Sequence, residues 1–251
     1  MFKVEIPDQV AWVTGASRGI GREIAKALAM AGCSVAVSYR SKVEEADKVV
    51  AEIQEMGRKA FAIKVDVADL ADCDAAHKAI VANLGVPTIV VNNAGMTADN
   101  LFIMLDEEDW TKVLNTNVMG TVHTSKLCMR GMMGKRFGRI INISSVAATK
   151  GGKGQANYAA SKGAVEAMTR SLACEMGSRN ITVNCIAPGV IETDMSQEVI
   201  KLGKDEILKR QIIQRFGKPE EIAAWVVFLA SKYGDFITGQ TMHIDGGLKM
   251  A

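Results

Sequence analysis

The fold is decided by residues 10–32, VAWVTGASRGIGREIAKALAMAG, where a short apolar run leads through a glycine-rich turn into an amphipathic segment. The run 10–13 has the length of a strand, and the apolar residues of 20–31 recur at helical spacing. Gly32 is a helix-ending residue. A strand followed by a tight turn and a helix is the first half of a βαβ unit, which builds parallel sheets.

The same alternation continues along the chain. Further strands are predicted at 34–39, 61–67, 88–93, 139–144, 181–187 and 241–244. Helices are predicted at 43–56, 70–83, 107–133 (with Asp106 as its cap), 157–177, 195–213 and 219–231. The pattern predicts an α/β fold, a single doubly wound Rossmann-type domain over residues 1–251. We expect a mainly parallel seven-stranded sheet with helices on both faces and ligands at the carboxyl ends of the strands.

Composition excludes several classes of function. Apolar residues make up 48% and charged residues 23% of the 251, as in ordinary globular proteins. The net charge of +2 is too small to indicate a nucleic-acid partner. There is no apolar run of the length of a signal peptide or a membrane span. The five cysteines form no C-x-x-C pair and the three histidines are scattered, so we expect a cytoplasmic protein with reduced thiols and no metal site.

The turn of residues 14–21, which we call the glycine turn, is the first candidate site. Its spacing is G-x-x-x-G-x-G, which differs from the usual dinucleotide fingerprint. Glycines let backbone amides approach a pyrophosphate, and the following helix N-terminus favours an anion. The alternative is a plain turn without a ligand. The predicted cofactor-binding residues here are Gly15, Ala16, Ser17, Arg18, Gly19, Ile20 and Gly21.

The end of the second strand indicates which cofactor is bound. Enzymes that use NAD commonly place an acidic residue there to bind the ribose 2′-hydroxyl. This chain has Ser38-Tyr39-Arg40-Ser41, without an acid. Arg40 and Arg18 could bind a 2′-phosphate by charge-assisted hydrogen bonds, which favours NADPH. Alternatively, both arginines are solvated surface residues.

Tyr158 and Lys162 form the second candidate site, because residues four apart share one face of a helix. A free tyrosine has a pKa near 10, too high for acid–base work at neutral pH. An ammonium about 5 Å away favours the phenolate by roughly 3 kcal/mol, so we expect it to lower that pKa. Y-x-x-x-K alone also occurs by coincidence, but here other polar motifs lie at the ends of predicted strands, namely Asn92–Gly95, Ser144–Ser145 and Pro188-Gly189.

Taken together, these motifs closely resemble those of the short-chain dehydrogenase/reductase family along essentially the whole chain. The resemblance implies that Tyr158 donates the proton to a carbonyl oxygen and that Ser145 orients this oxygen. Lys162 would bind the nicotinamide ribose, and Asn117 would hold a water that links Lys162 to solvent. The remaining cofactor contacts that it implies are Asp66 and Val67 at the adenine, Asn93 at the adenosine ribose, Gly95, and Ile191 and Thr193 at the carboxamide.

Within that family, several segments most resemble β-ketoacyl-[acyl carrier protein] reductases, among them GQANYAASKGAVEAMTRSLACEM (154–176). One departure is Val86-Pro87-Thr88, where such reductases usually carry an aspartate. The implied function is NADPH-dependent reduction of a 3-oxoacyl thioester in fatty acid biosynthesis. Alternatives are an acetoacetyl-CoA reductase, a carbonyl reductase or alcohol dehydrogenase acting on a free ketone, and a cofactor-binding protein without turnover.

The resemblance also implies two kinds of partner. Arg136 and Arg179 match positions that contact the acidic acyl carrier protein, and we expect both near the mouth of the cleft. The alternative for these arginines is that they are solvated cations near helix ends. A homotetramer is expected as well, because the predicted helices 107–133 and 157–177 carry apolar residues on more than one face. These are Val118, Val122, Leu127, Ala164, Val165, Met168 and Leu172.

Overall fold

A computed structural model describes residues 4–194, 196–248 and 250. The strands are β1 (Val10–Val13), β2 (Ser34–Tyr39), β3 (Ala60–Lys64), β4 (Ile89–Asn92), β5 (Gly138–Ile143), β6 (Ile181–Pro188) and β7 (Thr241–Ile244). The helices are α1 (Gly19–Met30), α2 (Val43–Glu55), α3 (Leu70–Asn83), α4 (Glu107–Leu114), α5 (Gly120–Lys135), α6 (Ala147–Lys150), α7 (Ala156–Met176), α8 (Gln197–Lys209) and α9 (Pro219–Ala230). Residues 1–3, 195, 249 and 251 of the predicted domain lie outside the described residues.

All seven strands belong to one sheet, in the order β3-β2-β1-β4-β5-β6-β7. Each of the six neighbouring pairs is parallel. The prediction of a doubly wound, seven-stranded α/β sheet is therefore confirmed. The strand order reverses between β1 and β4, which is where such sheets open a crevice for ligands at their carboxyl ends.

The alternation of side chains along each strand divides the apolar core into two clusters. In β1, Ala11 and Val13 belong to the cluster beneath α1, α2 and α9. Trp12, between them, belongs to the cluster on the opposite face, with residues of α3, α5 and α7. Helices thus cover both faces, and the strands between them are apolar on both sides.

Several element boundaries differ from the sequence prediction, and α8 ends at Lys209 rather than at 213. β3 ends at Lys64 rather than at 67, and only the amide of Val65 still donates to β2, to the Tyr39 carbonyl at 2.8 Å. The long helix predicted at 107–133 is present as one continuous helical segment, but a π-helical turn at Asn115–Met119 interrupts it between α4 and α5. Asp106 does cap α4, and Asp109 completes a capping box. In the described part of the chain, no helix combines the length and the apolar composition that a membrane span requires.

Candidate active site

The glycine turn lies between β1 and α1, at the carboxyl edge of the sheet. Gly15 and Gly19 have φ of 62° and 54°, a left-handed conformation that glycine adopts without strain. A methyl group at Gly21 would lie 2.3 Å from the Gly15 carbonyl oxygen. The backbone is therefore folded back on itself at the N-terminus of α1. A tight turn at a helix N-terminus, where backbone amides lack helical partners, suits a pyrophosphate. The glycine turn therefore fits a dinucleotide.

The loop after β4 is bonded to the glycine turn. Asn93 donates from Nδ2 to the carbonyls of Thr14 and Gly15, at 2.9 and 3.1 Å. In return, Thr14 Oγ1 accepts from the amides of Asn93 and Ala94, both at 2.9 Å. The side-chain amide group of Asn93 is thus bonded to the glycine turn itself. Sequence reasoning assigned Thr14 no role, although its place at the end of β1 was the signal for one.

The loop after β6 closes the other side of the turn. A Cβ at Gly19 would lie 3.4 Å from the Thr193 methyl carbon. Ile191 is buried and forms a parallel bridge with Gly217. Both residues that were expected at the nicotinamide carboxamide therefore lie on a loop that contacts the glycine turn.

The end of β2 lies beside the same turn, because the amide of Ala16 donates to the Ser38 carbonyl at 2.8 Å. Arg40 and Arg18 are both exposed, and Arg18 Nη1 lies 3.6 Å from a carboxylate oxygen of Asp194. Two exposed cations therefore accompany the glycine turn, and one of them is paired with a carboxylate. At the end of β3, Asp66 accepts from the amide of Ala68 at 3.0 Å and Val67 is buried.

Ser145, Tyr158 and Lys162 form one cluster, which we call the catalytic cluster. Tyr158 and Lys162 lie one turn apart on α7, and Lys162 Nζ is 5.6 Å from the centre of the tyrosine ring. The Ser145 hydroxyl hydrogen-bonds Tyr158. Lys162 is buried and donates from Nζ to the Ile143 carbonyl at 2.8 Å. The last residues of β5 therefore bring the serine to the two residues of α7.

The ionisation of Tyr158 differs from the expectation. Burial raises the pKa of its hydroxyl above the ordinary value, and the hydrogen bond with Ser145 only partly opposes this. Burial also lowers the pKa of Lys162 to about 8. The expected lowering of the tyrosine pKa by the lysine was thus wrong. Desolvation of the phenolate is the largest cause of the raised pKa, and the charge of Asp99 adds to it.

Asn117 lies in the π-helical turn and is buried. Its Nδ2 donates to the Met96 carbonyl at 3.0 Å and to Ser161 Oγ at 2.9 Å, and its Oδ1 accepts from the Met96 amide at 2.8 Å. A methyl group at Gly95 would lie 3.3 Å from both Asn117 Oδ1 and Lys162 Nζ. The side chain of Asn117 therefore holds the 95–96 loop beside Lys162, and both of its amide protons are used in doing so.

Asn157 is a further buried residue of this site that sequence reasoning missed. Its Nδ2 donates to the Ala98 carbonyl at 3.0 Å, and its Oδ1 accepts from the Tyr158 amide at 2.7 Å. It joins the start of α7 to the loop after β4. Its position next to Tyr158 was the only signal in the sequence.

Arg136 and Arg179 do not lie near the mouth of the cleft, contrary to expectation. Arg136 lies two residues before β5 and Arg179 two residues before β6, so both lie at the amino edge of the parallel sheet. Ser145 follows β5, whose six residues span about 20 Å. The two arginines are close to each other, since Arg136 Nη2 donates to the Ser178 carbonyl at 3.2 Å. A cavity of about 880 Å³ at this edge has Arg136 in its lining.

This doubly wound fold, with a dinucleotide-binding turn beside a Ser–Tyr–Lys cluster, defines a nicotinamide-dependent oxidoreductase. The chain belongs to the short-chain dehydrogenase/reductase family. A family model described as enoyl-(acyl carrier protein) reductase matches residues 15–249.

Relatives and solved structures agree with this assignment. The 3-oxoacyl-[acyl-carrier-protein] reductase FabG of Staphylococcus aureus is 45% identical over 240 residues, covering 96% of this chain and 98% of that protein. The enzyme of the same name from Pseudomonas aeruginosa is 42% identical over 248 residues, covering 99% and 100%. Gluconate 5-dehydrogenase of Burkholderia cenocepacia, solved with NADP and tartrate, has a TM-score of 0.94 and 32% identity, covering 99% and 98%.

Proposed function

We propose that this protein reduces 3-oxoacyl-[acyl carrier protein] to the 3-hydroxyacyl thioester with NADPH, as a cytoplasmic step of fatty acid biosynthesis. The observation that carries the proposal is the catalytic cluster beside the glycine turn, at the carboxyl edge of the sheet. The substrate class is supported by the two FabG relatives, which match nearly the whole chain at 42% and 45% identity.

The cofactor would be bound by the residues around the glycine turn. Bound NADPH supplies a hydride to the carbonyl carbon. The amides of residues 15–21 would hold the pyrophosphate, and Arg18 and Arg40 the 2′-phosphate. The proposed remaining contacts are Asp66, Val67, Asn93, Gly95, Ile191 and Thr193.

Tyr158 would supply the proton. Because burial raises its pKa, the phenol stays protonated at neutral pH, which is the form that a general acid needs. Ser145 already hydrogen-bonds Tyr158 and would hold the carbonyl oxygen against it. Lys162 is charged below a pH of about 8 and would bind the nicotinamide ribose. Asn117 would keep Lys162 and the 95–96 loop in place and connect the lysine to solvent through a water.

The cofactor assignment is tested by steady-state kinetics with NADPH and NADH. We expect NADPH to be preferred by at least about tenfold in kcat/KM, which corresponds to about 1.4 kcal/mol. Arg18→Ala combined with Arg40→Ala should remove most of that preference. The matched control is Lys48→Ala, an exposed cation on α2. Equal use of both cofactors by the parent protein would contradict the role given to the arginines.

The carrier is tested by comparing one 3-oxoacyl group on acyl carrier protein, on coenzyme A and as a free ketone. Arg136 and Arg179 lie at the opposite edge from Ser145, so they could guide a carrier only if a second subunit brings its amino edge beside the cleft. Arg136→Glu with Arg179→Glu should then raise KM for the carrier substrate and spare kcat for the free ketone. Lys48→Glu with Lys78→Glu is a control of equal charge. If the arginine variant kept the carrier preference of the parent, as the control should, the two arginines would not have this role.

A second candidate is a dehydrogenase that acts on a free hydroxy acid or ketone. It is favoured by the similarity to gluconate 5-dehydrogenase, whose structure contains tartrate. The same panel decides between the two, since this candidate requires the free ketone to be reduced at least as well as the carrier substrate.

A further inference from the structure

Glu166 is a buried carboxylate that the proposed reaction does not use. It lies on α7, one turn after Lys162, and is only 7% exposed. A carboxylate is costly to bury unless hydrogen bonds satisfy its oxygens. The groups around it therefore indicate what it does.

Ser144 is the partner of this carboxylate. Its hydroxyl donates to Glu166 Oε1 at 2.8 Å and lies 3.3 Å from the backbone carbonyl of Lys162. The Ser144 amide donates to the Ile186 carbonyl at 2.7 Å, which fixes the residue to β6. Ser144 is itself 3% exposed, so bulk water does not compete with Glu166 for its hydroxyl.

Two side chains of α7 therefore hold two successive residues at the end of β5. Lys162 Nζ binds the carbonyl of Ile143, and Glu166 binds the hydroxyl of Ser144. The next residue is Ser145 of the catalytic cluster. Its position relative to Tyr158 depends on the backbone that these bonds fix.

Cys185 of β6 is the other titratable group that faces this carboxylate. It is fully buried, and burial raises its thiol pKa to about 12, with the charge of Glu166 adding to the rise. Its Sγ lies 4.0 Å from the Ile186 carbonyl oxygen, and the neighbouring Ser144 opposes part of the rise in its pKa.

We infer that Glu166 is a positioning residue, which through Ser144 fixes the end of β5 and so places Ser145 against Tyr158. The kinetic part of this inference rests on the proposed function, whereas the structural part does not. The hydrogen bond, rather than the negative charge, is the feature that matters, because Glu166 Oε1 is the nearer of the two acceptors of the Ser144 hydroxyl, at 2.8 Å against 3.3 Å for the Lys162 carbonyl.

The test compares Glu166→Gln, which keeps an acceptor oxygen, with Glu166→Leu, which removes it. We expect Glu166→Gln to keep kcat within about threefold and Glu166→Leu to lower kcat by about tenfold or more, with the Kd for NADPH within about twofold in both. Ser144→Ala should lower kcat in the same way, and Ser144→Ala with Glu166→Leu should be no worse than Glu166→Leu alone. Glu175→Leu, an exposed position on α7, is the control and should keep the parental kcat.

Thermal unfolding of each variant separates misfolding from mispositioning. If Glu166→Leu does not fold, Ser144→Ala is used in its place. Equal losses in Glu166→Gln and Glu166→Leu, or parental kcat in Glu166→Leu and Ser144→Ala, would overturn the inference. A crystal structure of Glu166→Leu, or of Ser144→Ala if the former does not fold, tests the inference without any substrate. Retention of the hydrogen bond between Ser145 and Tyr158 would overturn it, whereas a parent protein that reduces no 3-oxoacyl substrate would contradict only the proposed function.

Discussion

At the scale of single residues, burial governs the chemistry of the site more than charge does. Tyr158 keeps its proton because its phenolate would be desolvated, and Lys162 holds its proton less tightly for the same reason. The two effects have opposite signs in pKa and are both useful in the reductive direction. A proton donor and a cation coexist near neutral pH.

Tyr158→Phe is expected to lower kcat by about a hundredfold or more, the scale of a missing general acid. NADPH binding should remain near parental, because the ring and its neighbours are kept. Fluorescence titration gives the binding constant and steady-state assays give kcat. A variant with nearly normal kcat would mean that another group donates the proton. A parent protein that turns over no ketone substrate would instead favour the interpretation of the fold as a cofactor-binding protein without turnover.

The activity should fall at alkaline pH. Burial lowers the pKa of Lys162, so the ammonium is present below a pH of about 8 and lost above it. We expect kcat/KM for NADPH to decline through that region, since this ratio reports ionisations of the free protein. Lys162→Arg, whose guanidinium stays charged, should lack this decline even if its activity is lower. An unchanged alkaline limb in Lys162→Arg would assign the decline to another group.

At the scale of elements, the close approach within the glycine turn is the feature most sensitive to a small substitution. A methyl group at Gly21 would meet the Gly15 carbonyl at 2.3 Å, and backbone cannot swing aside as a side chain can. Gly21→Ala should therefore weaken NADPH binding by at least about tenfold, or about 1.4 kcal/mol. Gly134→Ala on α5 is the matched control, because no atom lies within 4 Å of its added methyl group. Parental affinity in Gly21→Ala would show that the turn can relax.

The elements also show how far the sequence could predict the structure. All seven strands and the cap at Asp106 were predictable, since periodicity and turn residues report local structure directly. The π-helical turn that places Asn117 was not, because Asn115–Met119 has no breaker residue and its hydrogen bonds form within the assembled site. The buried pairing of Ser144 with Glu166 was likewise invisible, since it joins a strand to a helix 22 residues away.

The error over Arg136 and Arg179 has a different origin. Both precede predicted strands, and in a parallel sheet all strand starts share one edge, so the sequence already placed them away from Ser145. Resemblance to a family supplied the expectation, and topology contradicts it within one chain. The pKa of Tyr158 was also mispredicted, because a charge pair can be read from spacing whereas burial cannot.

At the scale of the whole molecule, apolar side chains remain partly exposed on the two long helices. Of the seven residues named for self-association, Val165 is buried in its own subunit, whereas Ala164 is exposed and the others are intermediate. We propose a homotetramer that covers these faces. Light scattering at micromolar concentration should give about four times the monomer mass of 26.9 kDa. Ala164→Glu should reduce the measured mass. Ala98→Glu, a change of equal charge in the loop after β4, is the control and should keep the parental mass. A monomeric parent would contradict the proposal.

The strand order has a consequence for the way in which the chain is made. β2 and β3 add successively to one side of β1, and β4, β5, β6 and β7 then add successively to the other. No strand must be inserted between two that are already paired, so the sheet can grow from its edges in the order of synthesis. A chain released after α9 would contain every catalytic residue but would leave β6, buried along all eight residues, as an open edge. Such a fragment should aggregate through that edge rather than act as a smaller enzyme.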